Sequence, residues 1–172
     1  ASIWNGAAYE RFGGDEYRAQ LYADSINSYQ QKLSGIKVYN MVVPNHTEMG
    51  LPQRLKNSSA PSDSQAENIK QIYSKLNSSV TPINVYNKLA EHSNEDINYN
   101  SAHDWTGLGA YYAYTAFAEA TNQDVLDLST CTENKVEGFT GSLPNTNDGL
   151  STDTVSYWTF PYNVTMDITD SN

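Results

Sequence analysis

His103 and Asp104 are adjacent residues whose side chains could perform acid–base chemistry. A carboxylate beside an imidazole fixes its tautomer and stabilises the imidazolium that forms, so such a pair can act as a general base. Adjacent residues do not always face each other, and a second interpretation stays open: Asp104 caps the following helix and His103 is a surface residue. We expect the stretch from Asn98 to Ala120 to be the functional centre, because a strand-to-helix turn holds side chains firmly while leaving them open to solvent.

Other catalytic motifs are missing from the sequence. The 172 residues contain no Gly-x-Ser-x-Gly elbow, no two-histidine helical zinc motif and no phosphate-cradling glycine loop. Cys131 is the single cysteine, which excludes an internal disulfide framework and a cysteine-rich zinc site. The sequence therefore predicts neither a metal nor a cofactor.

Composition and charge exclude several kinds of partner. Ten Lys and Arg stand against 20 Asp and Glu, a net charge of −10, which argues against nucleic acid because phosphate contacts require concentrated basic residues. No apolar run approaches the roughly 20 residues that a membrane-spanning helix needs. The 13 tyrosines and 3 tryptophans supply the large amphipathic surfaces that disordered segments lack. We expect a folded chain whose polar composition suits a secreted or surface protein.

The elements that must position this pair begin with a hairpin, a helix and a strand. Asn5-Gly6 between two short runs predicts a two-residue hairpin turn. Apolar residues four, three and four positions apart predict a helix over 15–33, with Tyr22, Ile26, Tyr29 and Leu33 along one of its faces. The apolar run 36–43 predicts a strand buried on both faces. Residues 46–61 then predict a long loop at the edge where open α/β sheets bind ligands.

A second series of helix, strand and helix follows. Ser64 and Glu67 form a capping box that opens a helix, residues 80–85 predict a strand, and residues 85–92 predict a short helix. The alternating order fits right-handed crossover units. We therefore expect an α/β fold in which a layered, mainly parallel sheet is flanked by helices.

The helix after the His-Asp pair and the tail behind it complete the expected domain. Either Asp104 or Ser101 could cap this helix. Its buried face would contain Trp105, Leu108, Gly109, Tyr112, Ala113 and Ala116 and could extend to Ala120. Residues 122–172 read as an irregular β-rich extension, with short alternating runs at 138–143, 153–160 and 164–168. The whole chain, 1–172, is expected to be a single domain.

The run Tyr-Asn-Ser-Ala-His-Asp-Trp-Thr-Gly-Leu-Gly-Ala-Tyr-Tyr-Ala-Tyr, residues 99–114, resembles the signature of the DHHW family of bacterial surface proteins. That signature is normally Thr-Asp-His-His-Trp-Thr followed by Gly-Ala-Tyr-Tyr-Ala-Tyr. Residues 38–44 resemble the family's Val-Tyr-Met-Val-Val-Pro strand, residues 136–143 its Gly-Ser-Leu segment, and residues 153–157 a further family turn. The resemblance therefore covers most of the chain.

The resemblance implies an acyl-transfer chemistry. The DHHW family looks related to SGNH-type hydrolases and alginate O-acetyltransferases, which implies an SGNH- or flavodoxin-like domain that uses Ser, His and Asp to move acyl groups on or off surface polysaccharides. In such a site the serine attacks the ester carbonyl, the histidine accepts its proton and the carboxylate orients the histidine. His103 would be the base, Asp104 its orienting carboxylate and Trp105 a substrate-binding residue.

Departures from the family pattern point towards an inactive or incomplete site. Ala102 occupies the aspartate position of the signature, and Asp104 stands before Trp105 where the related enzymes have histidine. In those families the nucleophilic serine lies in a later Gly-Asp-Ser-like block, which these residues do not contain. The chain resembles the first half of such a domain, as an esterase or O-acyltransferase.

A different function remains open beside this one. The chain could be a non-catalytic extracellular module that binds glycan or assembles with copies of itself. Aromatic faces can stack on sugar rings, although aromatic residues at helical spacing usually belong to the core. Tyr111 and Tyr114 point away from the expected buried face of their helix, so they could support self-association.

Overall fold

The computed structural model describes residues 2–57, 62–143, 149–165 and 167–169, in which helices alternate with short strands. The strands are β1 (Ser2–Trp4), β2 (Ala7–Tyr9), β3 (Val38–Asn40), β4 (Val80–Pro82), β5 (Thr132–Phe139) and β6 (Asp153–Thr159). The helices are α1 (Glu16–Lys32), α2 (His46–Gly50), α3 (Gln53–Lys56), α4 (Gln65–Ser74), α5 (Val85–Glu91) and α6 (Gly107–Thr121), followed by a 3-10 turn at Leu128–Thr130.

The structure confirms the N-terminal hairpin predicted from Asn5-Gly6. Asn5 and Gly6 have positive φ values of 50° and 80°, as a two-residue turn with the twist of the flanking strands requires. The strands pair in antiparallel register. The backbone N–H of Ala8 also donates to the Asn100 carbonyl at 2.9 Å, so the hairpin is fastened to the segment that leads to His103.

The described strands form three two-stranded sheets. One pair, β3 and β4, is parallel and runs in register from Val38 beside Val80 to Asn40 beside Pro82, whereas β1–β2 and β5–β6 are antiparallel. The mixed α/β class is confirmed, but both parallel strands are shorter than expected. The Ile83 N–H still donates to the Asn40 carbonyl at 2.8 Å, directly after Pro82.

The main core lies between the parallel strands and the helices α5 and α6. Its buried members are Ile83, Val85, Leu89, Ile97, Ala113 and Ala116. The expected face of α6 is largely confirmed, because Gly109 is buried as well and Trp105, Leu108 and Tyr112 pack against this core. A side chain at Gly109 would collide with the carbonyl oxygen of Ile97, which explains why glycine stands at this close approach.

The expected face of α1 is wrong in its details. The buried residues of this helix are Ala19 and Ala23, whereas Tyr22 and Tyr29 are 38% and 62% exposed. The helix α1 packs against α4. The Tyr22 hydroxyl instead accepts a hydrogen bond from the Asn40 side chain at 2.8 Å, so its role is polar.

Residues 46–56 form two short helices, α2 and α3, and not the long loop expected from their lack of periodicity; residues 58–61 lie outside the described residues. The Asn45 side chain caps α2 by accepting from the Thr47 N–H at 3.0 Å. A buried pair also holds them, because Lys56 Nζ lies 3.3 Å from Glu48 Oε2 and both side chains are less than a tenth exposed. The cap and the ion pair follow no helical period, so they leave no periodic trace in the sequence.

The C-terminal part contains one antiparallel hairpin. β6 agrees with the expected run 153–160, whereas the partner strand is β5, which begins at Thr132 and ends before most of the expected run 138–143. Residues 164–165 and 167–168 are not in a strand, and Met166 lies outside the described residues. None of the described helices is long and apolar enough to cross a membrane.

Candidate functional site

The segment 98–106 forms a closed loop that presents His103 and Asp104. Asn98 and Trp105 form an isolated antiparallel bridge at its base. The Tyr99 N–H donates to the Asp104 carbonyl at 3.2 Å. Thr106, and not Asp104 or Ser101, caps α6, since its side chain accepts from the Gly109 N–H at 3.2 Å. Both expected caps are wrong, because residues 98–105 belong to the loop and the helix begins at Gly107.

A buried carboxylate from β6 holds the far side of this loop. Asp153 Oδ1 accepts from the Asn100 N–H at 2.8 Å and from its side-chain amide at 2.9 Å. Its Oδ2 accepts from the Ser101 N–H at 2.9 Å and from the Ser101 hydroxyl at 2.5 Å. The Ser101 hydroxyl in turn accepts from the Gly141 N–H at 2.8 Å. Ser101 is fully buried, so this serine is a structural residue and not an accessible nucleophile.

His103 faces a carboxylate that the sequence pattern did not reveal. Its Nδ1 atom lies 2.9 Å from Glu10 Oε2, and the two side chains are 50% and 45% exposed. Within the part of the chain that the structure describes, the Asp104 carboxylate forms no hydrogen bond or ion pair. The two adjacent residues of the expected pair are therefore not brought together, and Glu10 takes the place beside the imidazole.

A cleft of about 220 Å³ opens beside His103. Asp104 and Trp105 line it on one side, together with Asn98, and the residues that follow β3 line the other, namely Val43, Pro44 and Asn45. The cleft thus lies beyond the carboxyl end of a parallel strand, the edge of an α/β sheet where ligands bind. All three of the residues expected to act in the site, His103, Asp104 and Trp105, border this one space.

His46 lies on the opposite side of His103, in a narrow crevice that Glu10 and Ala102 also line. Its ring packs against Tyr9 with centroids 4.6 Å apart. Among the described residues its Nδ1 atom is buried without a hydrogen-bond partner. Burial lowers the pKa of His46 below its ordinary value, although the Asp153 carboxylate and a backbone hydrogen bond to Tyr99 act in the opposite direction.

Two site residues were missed by sequence reasoning for different reasons. His46 follows Pro44 at the end of the expected strand, so its position at the ligand-binding edge was a usable signal. Glu10 is a lone carboxylate beyond a hairpin and far from His103 in the sequence, and it carries no local signal. Among the described residues no group of three or more His, Cys, Asp or Glu side chains could hold a metal ion.

Tyr111 and Tyr114 fasten the segment behind α6 to the helix itself. The Tyr111 hydroxyl donates to the Leu126 carbonyl at 2.9 Å. The Tyr114 hydroxyl donates to the Asp124 carbonyl at 3.3 Å and accepts from the Leu126 N–H at 3.1 Å. Tyr114 nevertheless keeps 40% of its surface exposed, and self-association through these residues stays a prediction.

Solved structures share this arrangement of helices and short strands. The O-acetyltransferase domain of Pseudomonas putida AlgJ matches with a TM-score of 0.56 at 16% identity and covers 84% of this chain and 55% of that chain. Bacillus cereus PatB1 matches with a TM-score of 0.63 at 18% identity and covers 88% of this chain and 54% of that chain. The chain therefore has a mixed α/β fold that is similar to the matched parts of these proteins.

The family follows from a closer pair of matches. The DHHW protein family model matches residues 2–163. A DHHW family protein from Eubacterium siraeum matches with a TM-score of 0.81 at 30% identity and covers 92% of this chain and 56% of that chain. The chain belongs to the DHHW family, which confirms the resemblance of its signature. It spans about half the length of these solved structures, and no curated protein matches it.

Proposed function

We propose that this chain supplies the histidine-bearing part of an SGNH-like acyl-transfer site, of the esterase or O-acyltransferase type, and that the 172 residues alone are inactive. The observation that carries the proposal is the position of His103. Its imidazole is half exposed and borders the cleft at the end of β3, and its Nε2 atom has no hydrogen-bond partner among the described residues. A ring in this position can accept a proton from a hydroxyl group that enters the cleft.

The proposed chemistry is nucleophilic acyl transfer. His103 Nε2 accepts the hydroxyl proton of a serine while the serine oxygen forms a bond to the ester carbonyl carbon. The bond to the leaving alkoxide then breaks, and the alkoxide takes the proton from the imidazolium. Water or a second sugar hydroxyl attacks the acyl-serine in the same way, which gives hydrolysis or transfer.

The serine is the component that these residues do not provide. Ser101 is buried under Asp153 and Gly141, and the sequence contains no Gly-Asp-Ser-like block. The signature also lacks its aspartate at Ala102 and has Asp104 in place of histidine. Without a nucleophile the histidine has nothing to activate, and this supports inactivity of the isolated chain.

The proposed substrates are acyl esters on extracellular or cell-surface polysaccharides. Trp105 borders the cleft beside His103, and an aromatic side chain at this point could contact the apolar face of a sugar ring. The polar composition, with only ten Lys and Arg among 172 residues, supports an extracellular or bacterial surface location. We place β3 and β4 in a larger, mainly parallel sheet, flanked by helices, that further strands would complete.

The test compares the 172-residue chain with the product of its full reading frame, using p-nitrophenyl acetate. The chain alone should hydrolyse the ester no faster than free imidazole at equal concentration. The full product should be active, and His103→Ala should lower its kcat/KM by about 10²- to 10⁴-fold, the usual contribution of a general base. His92→Ala is the matched control, because His92 also meets a carboxylate through Nδ1 but lies outside the cleft.

Two results would contradict this proposal. A full product that keeps its activity after His103→Ala would remove His103 from the chemistry. Rapid hydrolysis by the 172-residue chain, well above the imidazole rate, would contradict its inactivity.

A second candidate function is a non-catalytic module that binds glycan or assembles with itself. The substitution at Ala102 favours it, because this residue is 3% exposed and leaves no carboxylate where the family signature has one. Binding on a glycan array, or concentration-dependent light scattering that Tyr114→Ala abolishes, would support this function. A reading frame without any serine block, together with such binding, would favour it over acyl transfer.

A further inference from the structure

We infer that Glu10 is the positioning residue for His103: its carboxylate, supplied by the segment after β2, replaces the carboxylate that the signature has lost at Ala102. This inference rests on the proposed acyl-transfer function and deepens it. The contact that carries it is the 2.9 Å distance between His103 Nδ1 and Glu10 Oε2.

The geometry selects one tautomer of the imidazole. A carboxylate can only accept, so at this distance the Nδ1 atom must carry the hydrogen. In the neutral ring this leaves the lone pair on Nε2, which is the atom free of any partner among the described residues. A histidine in this form is ready to accept a proton, and its imidazolium would be stabilised by the adjacent negative charge.

Hydrogen bonds of the Glu10 backbone and of the neighbouring Ala8 backbone hold this segment, which separates the contact from an accidental surface ion pair. The Glu10 carbonyl accepts from the Thr47 hydroxyl at 2.7 Å, and Thr47 is buried. Two residues earlier, the Ala8 N–H donates to the Asn100 carbonyl of the loop that carries His103. The hairpin, α2 and the histidine loop are thus tied together around this carboxylate.

Among the described residues, no carboxylate other than Glu10 contacts the Nδ1 atom. Ala102 is buried and has no polar side chain. Asp104 lines the cleft but makes no hydrogen bond or ion pair to a described residue, and Asp153 is fully occupied by Asn100 and Ser101. Glu10 is therefore the carboxylate whose removal should change the state of His103.

The test measures the tautomer directly by long-range ¹H–¹⁵N correlation of the histidine side chains in the 172-residue chain, at a pH of about 9, where imidazoles are neutral. His103 should be in the Nδ1–H form. Glu10→Ala should shift it towards the Nε2–H form that free histidine prefers. Glu10→Gln, whose amide oxygen can still accept from Nδ1, should restore the Nδ1–H form.

A matched control exists within the same chain. His92 Nδ1 lies 2.6 Å from Glu95 Oε1, so Glu95→Ala should change the signals of His92 and leave those of His103 unaltered. The inference is overturned if wild-type His103 is in the Nε2–H form, or if Glu10→Ala leaves its tautomer unchanged.

In the product of the full reading frame, Glu10→Gln should lower kcat with little change in KM, because the charge would stabilise the imidazolium only in the transition state. We expect about a 10²-fold loss, less than the roughly 10⁴-fold loss at a buried triad carboxylate, since this pair is half exposed. If Glu10→Ala changes the His103 tautomer but the full product does not hydrolyse the ester, the proposed function is refuted and the contact between Glu10 and His103 is still supported. Activity that is indifferent to Glu10 would refute the inference alone.

Discussion

The substitution Asp153→Asn tests whether one carboxylate holds the functional loop in place. Asp153 is 7% exposed and accepts four hydrogen bonds, two at each oxygen, from Asn100 and Ser101. Asparagine has the same shape but turns one of these oxygens into an NH₂ group. That group would face two donors, and it would leave them without an acceptor.

The magnitude follows from these contacts. A hydrogen bond to a charged group contributes about 1.5–3 kcal/mol, and two are lost. The Ser101 hydroxyl can rotate to accept from the new amide, which recovers part of the loss. We therefore expect the free energy of unfolding to fall by about 2–4 kcal/mol, which corresponds to a Tm lower by roughly 4–16 °C for a domain of this size.

Thermal unfolding followed by circular dichroism measures this effect. Asp104→Asn is the matched control in the same loop, because the Asp104 carboxylate is exposed and makes no hydrogen bond to a described residue; its effect should stay within about 0.5 kcal/mol. Equal Tm values for wild type and Asp153→Asn would refute the view that this carboxylate fastens the loop.

Three further predictions follow from buried groups. Burial depresses the pKa of His46, so the unfolded chain binds more protons at this residue than the folded chain. The free energy of unfolding is therefore intact above about pH 6.5 and falls as the pH drops further. In urea titrations at about pH 7.5 and about pH 5, His46→Gln should lose less stability between the two pH values than wild type, and an equal loss in both proteins would contradict this. Burial and the bond to Glu48 raise the pKa of Tyr86 to about 12, and burial and the bond to Glu95 raise the pKa of Tyr112 to about 12. Tyr86→Phe should therefore reduce the late component in the ultraviolet titration of the tyrosines, and an unaltered curve would contradict the raised pKa of Tyr86. Gly109→Ala should lower the free energy of unfolding by about 1–3 kcal/mol despite the better helix propensity of alanine, because the added Cβ collides with the Ile97 carbonyl; an unchanged or higher Tm in a thermal melt would contradict this collision.

The elements that could be predicted are those with signals confined to a few adjacent residues. Asn5-Gly6 dictates a turn through its backbone preferences, and the hairpin is present. Ser64 caps α4 by accepting from the Glu67 N–H at 3.2 Å, as its capping box predicted. The interiors of α1, α5 and α6 follow equally local patterns of spacing.

The elements that were missed depend on contacts between distant residues. The residues around Glu48 and Lys56 give no sequence signal for a buried ion pair, yet this pair joins α2 to α3. The start of α6 was predicted too early, because the bridge between Asn98 and Trp105 keeps the residues before Thr106 in a loop. Similarly, α1 buries Ala19 and Ala23 and leaves Tyr22 and Tyr29 exposed, and the spacing of its apolar residues did not indicate this.

For the site, the sequence located the loop but not the partner of its histidine. His103, Asp104 and Trp105 do border one cleft, because the loop and the end of β3 meet at the same edge. The expected pairing relied on adjacency along the chain, and adjacent side chains on a tight loop diverge. The carboxylate beside His103 comes from the hairpin instead, and no spacing rule links the two segments.

The environment of Ala102 explains how this loop can differ from the family signature without losing its shape. Ala102 is almost completely buried, and a Cβ added at Gly141 would lie only 2.5 Å from the Ala102 Cβ, so the space around this position is filled by backbone. An aspartate here would need the Gly141 segment to move. The frame of the loop depends on Asp153 and Ser101, not on residue 102. The loop can therefore tolerate the loss of its own aspartate, and a carboxylate from outside it, at Glu10, is the arrangement that keeps His103 oriented.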